Sequence, residues 1–481
     1  MKSYHVTLLT FFAIFIFNQL KAQNLIEGMV TDSISSKPLS HVNIHIANSL
    51  VGTITNAEGK FLLHIPEGHE NSVLQISHLG YEQEHVRISV FNKPLEIKLK
   101  QQAILLSEVE VGQTNKIDVN GIVKRALDNF NILNSGEPYI QKGFFRYNER
   151  NKTDYKWLIE GAFTVFEPTY TKGSLKVGID EIRRSYDYRA IDSLMLYRFY
   201  LYKFADNKNK RKIFKDNDFE KYKSEFSLKE ALSYWNININ SFDVTLKGQM
   251  NLLRNRNQVH AIFSDETLFE THKFSVDSLL VHNHRLIYKI KIAPNKKTVD
   301  LYTKYAYNNG FLPVGYLYIF DDDYSIKEVN YALVAGTKGQ KARSGHFFDR
   351  AVVHRIVMKY KNDQGNMYLN YFSYETPKIL NFRFKPIDGE YSESNLLDKN
   401  DWYYFTKLEM LFTEIITDKT IIGTEQKRET WDSNFFKEAP YNSKFWESYN
   451  VLPETKEQKK LIDDLEKNVS LQNQFEYNHS H

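Results

Sequence analysis

Apolar and polar residues alternate along several short segments between residues 24 and 100, and turn residues separate these segments. Alternation with a period of two places every second side chain on the same face of a strand. Turns rich in proline, glycine or asparagine interrupt the pattern at residues 32–38, 56–59 and 66–68, as is typical of a small all-β module. The pattern predicts a seven-stranded Greek-key sandwich over residues 23–101.

A helical pattern and a long series of alternating segments follow. After Asp118 or Asn120, either of which can cap a helix, apolar residues recur at i, i+3 and i+4 as far as Phe130. Thr455 and Gln458 form a capping-box pattern that predicts a last helix up to Leu471. Between the two helices we expect strands at residues 139–148, 155–166, 286–292, 299–307, 314–320, 326–333, 346–361, 366–374 and 403–416, the last as one strand or a pair.

The expected fold is therefore mainly β, with the sandwich followed by a large antiparallel half-barrel-like sheet and a few helices. Residues 102–116 are expected to form a linker strand, residues 117–452 the α+β domain, and residues 453–481 a C-terminal helix and tail. Residues 206–218 read as a solvated loop, in which a Lys-rich cluster could instead bind phosphate or an acidic glycan. A short helix is expected near residues 227–234.

The first 22 residues have the pattern of a secretory signal peptide. Lys2 precedes an apolar run from Val6 to Phe17, and the small residue Ala22 marks the expected cleavage site. The run is shorter than the roughly 20 residues that a membrane-spanning helix needs, so a retained anchor is the weaker alternative. We expect export, with no transmembrane helix in the mature chain.

Composition narrows the possible classes of function. The 63 Lys+Arg residues nearly balance 59 Asp+Glu residues, so the charge provides no basis for nucleic-acid binding. The chain has no cysteine, which excludes disulfides, thiolate metal sites, a cysteine nucleophile and lipid attachment at cysteine.

An ordered set of positions in the first module points to a known family. They are Gly28, Val30, Asp32, Pro38, Leu39, Gly52, Thr53, Thr55, Asn56, Gly59, Phe61, Leu79, Gly80 and Tyr81. With these residues the segment resembles the carboxypeptidase-like regulatory domain family of exported Bacteroidota proteins. The resemblance implies a prealbumin-like β-sandwich and no carboxypeptidase activity. His41 stands where the family usually has a small residue.

Three later segments also resemble parts of exported proteins. Residues 106–112 are similar to the strand that follows the same module in TonB-dependent receptors, although no plug domain follows here. Residues 315–333 resemble the half-barrel of periplasmic lipoprotein carriers. The Phe-Trp-x-x-Tyr-Asn pattern of residues 445–450 resembles a motif near the C-terminus of similar regulatory-domain proteins.

Histidine pairs are the first candidates for metal chemistry. His64 and Glu67 have the His-x-x-Glu spacing of zinc carboxypeptidases, but a proline turn separates them, so we interpret the spacing as coincidence. His282 and His284 could form half of a metal site or could belong to a hairpin turn. A second pair, His41 and His45, is expected on the outer face of a sandwich strand, with the same two interpretations.

Other motifs favour ordinary turns. Residues 321–323 are three consecutive aspartates, whereas calcium loops space their carboxylates and use a glycine hinge. Residues 336–341 lack the ending of a phosphate loop, and no Gly-x-Ser-x-Gly or His-Glu-x-x-His motif is present. We therefore predict no catalytic, cofactor-binding or metal-binding residues.

The sequence favours a non-enzymatic exported protein with a binding or assembly role in the periplasm or at the periplasmic face of the outer membrane. A link to polysaccharide uptake is part of this hypothesis. The partner could be an outer-membrane or periplasmic protein, a glycan, a lipid or a peptide. Two alternatives remain: a polysaccharide-acting hydrolase with an unrecognised carboxylate pair, and a small outer-membrane β-barrel.

Overall fold

The computed structural model describes residues 25–88, 93–102, 117–133, 136–150, 155–168, 175–185, 267–300, 310–348, 351–380, 402–436 and 439–477. Contacts among these residues group the chain into two compact units. The first contains residues up to Ser77, Gln83–Lys100 and Asn442–Pro453. The second contains His78–Glu82, Gln101–Tyr441 and the chain from Glu454 onwards.

The first unit is a sandwich of two sheets, as the alternation predicted. Its strands are β1 (Leu25–Asp32), β2 (Asn43–Ile46), β3 (Gly52–Ile54), β4 (Lys60–His64), β5 (Val73–Ser77), β6 (Glu84–Arg87) and β7 (Leu95–Leu99). One sheet has the order β4-β1-β7 and the other β3-β2-β5-β6. Strands β1 and β7 run parallel, and the other pairs run antiparallel. The alternating apolar residues of these strands, such as Ile44, Leu63 and Ile76, are fully or almost fully buried.

A segment from near the C-terminus completes this unit. Asn442 caps the short helix α5 (Ser443–Glu447) by accepting a hydrogen bond from the backbone of Phe445. The Asn450 side chain accepts the backbone N–H of His64 at 2.6 Å, and Asn56 donates to the Pro453 carbonyl at 3.1 Å. The motif of residues 445–450 therefore belongs to the fold of the sandwich unit.

The second unit is built on a ten-stranded antiparallel sheet. In spatial order the strands are β10, β9, β8, β17, β16, β15, β14, β13, β12 and β11. Their bounds in chain order are β8 Tyr139–Arg150, β9 Tyr155–Glu167, β10 Lys176–Arg184, β11 His272–His282, β12 Arg285–Pro294, β13 Leu312–Phe320, β14 Ile326–Val334, β15 Val352–Asp363, β16 Asn366–Leu380 and β17 Trp402–Ile416. Over the described residues the sheet is open, with β10 and β11 as its edges.

Within the described ranges, six further helices accompany the sheet and the sandwich. They are α1 (Val119–Leu133), α2 (Leu268–Thr271), α3 (Lys338–Phe348), α4 (Lys419–Gln426), α6 (Lys456–Leu465) and α7 (Leu471–Tyr477). Helix α1 buries Ile122, Val123 and Ala126 in a continuous apolar core on one face of the sheet, which we call the inner face. All ten strands of the sheet, from edge strand β10 to edge strand β11, contribute to the same core. The inner face is therefore packed by side chains wherever it is described.

The mainly β prediction is confirmed, while several element boundaries differ. Helix α3 extends to Phe348, so β15 starts at Val352 rather than at residue 346. The expected last helix is divided at Leu465 into α6 and α7. The segment at 403–416 is one strand, which pairs with β8 and β16.

Some expectations fall outside the described residues. These are the signal peptide, most of the linker strand at 102–116, the Lys-rich insertion, the helix near 227–234 and most of the strand at 299–307. No helix in the described part of the chain is both long enough and apolar enough to cross a membrane.

Candidate functional site

A row of alternating charges crosses four neighbouring strands on the outer face of the large sheet, opposite to the α1 face. Antiparallel register places Arg183 of β10 opposite Glu160 of β9, Glu160 opposite Arg146 of β8, and Arg146 opposite Glu409 of β17. Arg146 Nε lies 2.5 Å from Glu160 Oε1, and Arg183 Nη2 lies 2.6 Å from Glu160 Oε2. Both carboxylate oxygens of Glu160 are therefore bound by arginines.

The arginines fix the ionisation state of this row. Burial would raise the pKa of Glu160, but the charges and hydrogen bonds of Arg183 and Arg146 outweigh that effect and lower the pKa to about 2. Burial likewise opposes the ionised form of Glu409, while the positive charges of Lys407 and Arg146 lower its pKa. Both carboxylates are ionised at neutral pH.

The C-terminal helices α6 and α7 cover this row. Thr455 and Gln458 form the capping box that the sequence predicted at the start of α6. Gln458 has a second role, because its Nε2 donates to Glu409 Oε2 at 3.1 Å. The helices also bury an apolar cluster against β9 that consists of Leu158, Leu461, Leu465, Leu471 and Phe475.

A cavity of about 210 Å³ lies between the charged row and the two helices. One part of its wall is polar and presents both hydrogen-bond donors and acceptors, and the other part is apolar and includes the ring of Phe475. The lining residues are Arg146, Leu158, Glu160, Arg183, Glu454, Gln458, Leu461, Ile462, Glu466, Leu471, Gln472 and Phe475. We call this space the α6–α7 cavity.

The α6–α7 cavity offers recognition groups for a small polar molecule. Arginine and glutamine side chains donate hydrogen bonds, while glutamate and glutamine side chains accept them. The guanidinium of Arg183 lies 5.4 Å from the centre of the Phe475 ring, which holds that ring at the polar boundary of the cavity. The arrangement can bind a ligand that has hydroxyl groups and one apolar face.

Two other buried carboxylates of the sheet, Glu149 and Glu328, also face cations. Glu149 is fully buried, accepts a hydrogen bond from Tyr147, and lies 3.1 Å from Lys156 Nζ. Glu328 Oε2 lies 2.8 Å from Lys359 Nζ. These pairings resemble structural ion pairs rather than the opposed carboxyl groups of a glycosidase.

The two histidine pairs that were candidates for a metal site lie in or beside turns of the backbone. His282 ends β11, and Asn283 and His284 form the two-residue turn to β12, with φ values of 49° and 62°. This is the hairpin interpretation, with both turn residues in the left-handed region. His41 lies in a turn with φ of 57° rather than on the strand that carries His45, so the shared strand face expected for this pair is wrong.

The remaining candidates also lie in turns or helix starts. His64 ends β4, its pKa is lowered by burial, and Glu67 lies in the exposed turn after it. Arg285 binds the aspartate turn, with Nη2 at 2.5 Å from Asp322 Oδ1 and 2.7 Å from Asp323 Oδ2. Residues 336–341 lead into α3. Among the residues that the structure describes, no three His, Asp or Glu side chains form a group that could hold a metal ion.

Sequence reasoning missed the residues of the charged row. Arg146, Glu160 and Glu409 alternate with apolar residues, which the pattern assigns to a solvated face. These residues are buried because α6 and α7 cover them. They lie opposite one another because of the strand register, which includes pairing of strands as distant in sequence as β8 and β17. The one available signal was the spacing of Leu461 and Leu465, which gives the last helix an apolar stripe that requires a partner surface.

Comparisons with solved structures give only weak likenesses. A DUF1329 family protein from Desulfovibrio piger shows 9% identity and a TM-score of 0.21, over 65% of this chain and 99% of that chain. A LolA superfamily protein from Nitrosomonas europaea shows 6% identity and a TM-score of 0.17, over 63% of this chain and 96% of that chain. At these TM-scores, neither likeness supports a conclusion about the fold or the function.

The first module can be assigned to a family. No curated protein matches the chain significantly. The family model described as CarboxypepD_reg-like domain matches residues 26–111. This range contains six strands of the sandwich, all of β1 except Leu25, and the ordered positions from Gly28 to Tyr81. The N-terminal module of this chain is therefore a CarboxypepD_reg-like domain.

Proposed function

We propose that the protein is an exported, non-enzymatic binding protein of the periplasm or of the periplasmic face of the outer membrane. The α6–α7 cavity is its ligand site, and a terminal sugar residue of a glycan is the ligand class. The combination of charged donors and acceptors with the Phe475 ring in one cavity carries this proposal. Sugar hydroxyls both donate and accept hydrogen bonds, and the apolar face of a sugar ring packs on an aromatic ring.

The ionisation of the charged row supports binding rather than hydrolysis. A glycosidase needs a general acid that is still protonated near its working pH. Glu160, which lines the cavity together with Glu454 and Glu466, has a pKa of about 2 and is held by two arginines, so Glu160 is not such an acid. It therefore serves as a fixed hydrogen-bond acceptor that orients the two guanidinium groups.

Binding is tested by calorimetric titration of the chain without its first 22 residues against a panel of monosaccharides and short oligosaccharides. We expect saturable binding of at least one of them to the wild type. Gln472→Trp places a bulky ring at the cavity and should reduce the affinity at least tenfold. Lys459→Trp is the matched control, because Lys459 is exposed on α6 and does not line the cavity.

Two results would contradict the proposal. One is equal affinity of the wild type and Gln472→Trp, which would place the ligand elsewhere. The other is release of new reducing ends from an oligosaccharide by the wild type, which would establish hydrolysis.

Export is tested separately by fusing residues 1–24 to alkaline phosphatase, which is active only after export. A fusion protein that stays in the cytosol and is inactive would contradict export.

A further inference from the structure

A buried lysine on the inner face of the large sheet lies apart from the α6–α7 cavity. Lys327 of β14 is 7% exposed, and its Nζ donates to the carbonyl of Tyr360 at 2.8 Å. Within the described residues no carboxylate lies within ion-pair distance of this ammonium. An ammonium has three N–H donors, so one hydrogen bond leaves most of its capacity unused.

The groups around Lys327 are predominantly basic. It lies at the end of the sheet where the β11–β12, β13–β14 and β15–β16 turns meet, and this end also carries His282, Arg285 and Lys361. His282 is 5% exposed, and burial together with the positive charges of Lys327, His78 and Arg285 lowers its pKa.

The acidic groups nearby are engaged elsewhere. Glu328 faces the opposite side of the sheet and pairs with Lys359 at 2.8 Å. Asp322 and Asp323 form ion pairs with Arg285, and Asp321 is hydrogen-bonded to Tyr288. The negative charge of Asp363 favours the protonated form of Lys361. The buried ammonium of Lys327 therefore lacks a counterion of its own.

We propose that Lys327, with the basic groups around it, forms a binding site for a compact oxyanion, namely a carboxylate or a phosphate group. A buried charge without a partner is unfavourable, and an oxyanion would remove this penalty by accepting hydrogen bonds from the unused N–H donors of the ammonium. Half-exposed Arg285 and Tyr324 border this end of the sheet, which is therefore the side of Lys327 nearest to solvent.

Two sources supply this chemistry. One is a free small anion, and the other is the headgroup of an anionic amphiphile. The inner face beside Lys327 is apolar, with Phe130 packed edge-on against Tyr360 at 5.7 Å between ring centres. An amphiphile would place its headgroup at Lys327 and would have to insert its tail between side chains that are packed against each other in the free protein.

The ionisation of Lys327 provides a specific readout. Burial, together with the positive charge of Lys359, lowers the pKa of Lys327 to about 8 although Glu328 opposes the change. At pH 8.5 the free side chain is therefore mostly neutral. An anion favours the charged form, so binding at pH 8.5 must be coupled to uptake of a proton.

The test is calorimetric titration at pH 8.5 in buffers of different ionisation enthalpy, with inorganic phosphate, acetate and decanoate as probes. We expect at least one probe to bind the wild type with uptake of a proton. Lys327→Met should weaken this binding at least tenfold. Lys289→Met is the matched control, because Lys289 lies two strands away on β12 and pairs with Asp277 at 2.8 Å.

Each outcome bears on the site directly. Binding of phosphate or acetate supports a free anion, and binding of decanoate alone supports the headgroup of an amphiphile. Lys327→Arg keeps the charge but cannot lose its proton, so it should bind without proton uptake. Circular dichroism should show that Lys327→Met is folded and at least as stable as the wild type. No binding by the wild type, or equal binding by Lys327→Met, would overturn the proposal.

Discussion

Glu160 is the residue on which the charged row of the sheet depends. It is almost completely buried and accepts hydrogen bonds from Arg146 and Arg183 on the strands at either side. If its charge is removed, two guanidinium groups lose their shared partner in an environment of low polarity. Breaking a buried ion pair from one side typically costs about 3 to 5 kcal/mol.

We therefore expect Glu160→Gln to lower the free energy of unfolding by about 3 kcal/mol at pH 7. Urea unfolding followed by circular dichroism measures the change. Glu429→Gln is the control, since Glu429 is exposed and should shift the stability by less than about 0.5 kcal/mol. A loss below about 1 kcal/mol in Glu160→Gln would show that the arginines do not depend on this carboxylate.

The low pKa of Glu160 also predicts how stability depends on pH. Its folded-state pKa of about 2 lies below the model value of 4.5, so the folded protein favours the ionised form. This contribution is fully present above pH 4.5 and is lost as the pH falls towards 2. The stability difference between wild type and Glu160→Gln should therefore shrink over this range. A difference that stays constant down to pH 2 would contradict this assignment.

His284 has an unfavourable backbone conformation in the β11–β12 turn. Its φ of 62° is strained for a residue with a side chain, and it follows Asn283 in the arrangement that favours Asn-Gly. We expect His284→Gly to raise the free energy of unfolding by about 1 kcal/mol, whereas His284→Ala should give no comparable gain. If both variants behave alike in urea unfolding, backbone strain is not the cause.

At the scale of elements, α6 depends on its first turn to cover the charged row. The Thr455 hydroxyl accepts the Gln458 N–H at 3.2 Å, and the Gln458 side chain accepts the Thr455 N–H at 2.7 Å. Thr455→Ala should cost about 1 kcal/mol through the lost cap. Gln458→Ala should cost more, since it also removes the hydrogen bond to Glu409.

Hydrogen exchange measures this effect locally. Both variants should increase exchange in α6, and Gln458→Ala should also expose amides of β17 near Glu409. Lys459→Ala, on the exposed side of the same helix, is the control and should leave exchange unchanged. Equal exchange in Thr455→Ala and the control would show that the cap does not hold the helix.

The elements also show how far the sequence can predict this fold. Periodicity located β8 and β9 to within two residues, because their alternation is regular and their lengths are typical. It did not identify the edge strands β10 and β11, where charged residues interrupt the pattern. The α6–α7 cavity could not be predicted, because it requires knowledge of which strands become neighbours.

At the scale of the whole molecule, the sandwich unit is closed by residues that lie almost 400 positions away in sequence. The hydrogen bond from the His64 backbone to Asn450 joins positions 386 residues apart. Trp446 is buried in the same segment. The family pattern of the first module and the later aromatic motif therefore describe one folded unit, although the sequence presents them as separate features.

Asn450→Ala should consequently weaken the sandwich unit. The His64 N–H loses its acceptor, which we expect to cost about 1 to 2 kcal/mol. Hydrogen exchange at His64 should accelerate, and exchange in β15 and β16 should stay unchanged. Ser448→Ala is a nearby control on the exposed surface. An unchanged His64 amide in Asn450→Ala would contradict the structural role of the motif.

The proposed function of the α6–α7 cavity is to bind a sugar without altering it. The most direct measurement is NMR of the labelled chain without its first 22 residues, mixed with the oligosaccharide that binds most tightly and followed over days. We predict that resonances of Phe475 and Leu471 shift on mixing and that the ligand spectrum then remains constant. Shifts confined to other residues, or the gradual appearance of signals from cleaved ligand, would contradict it.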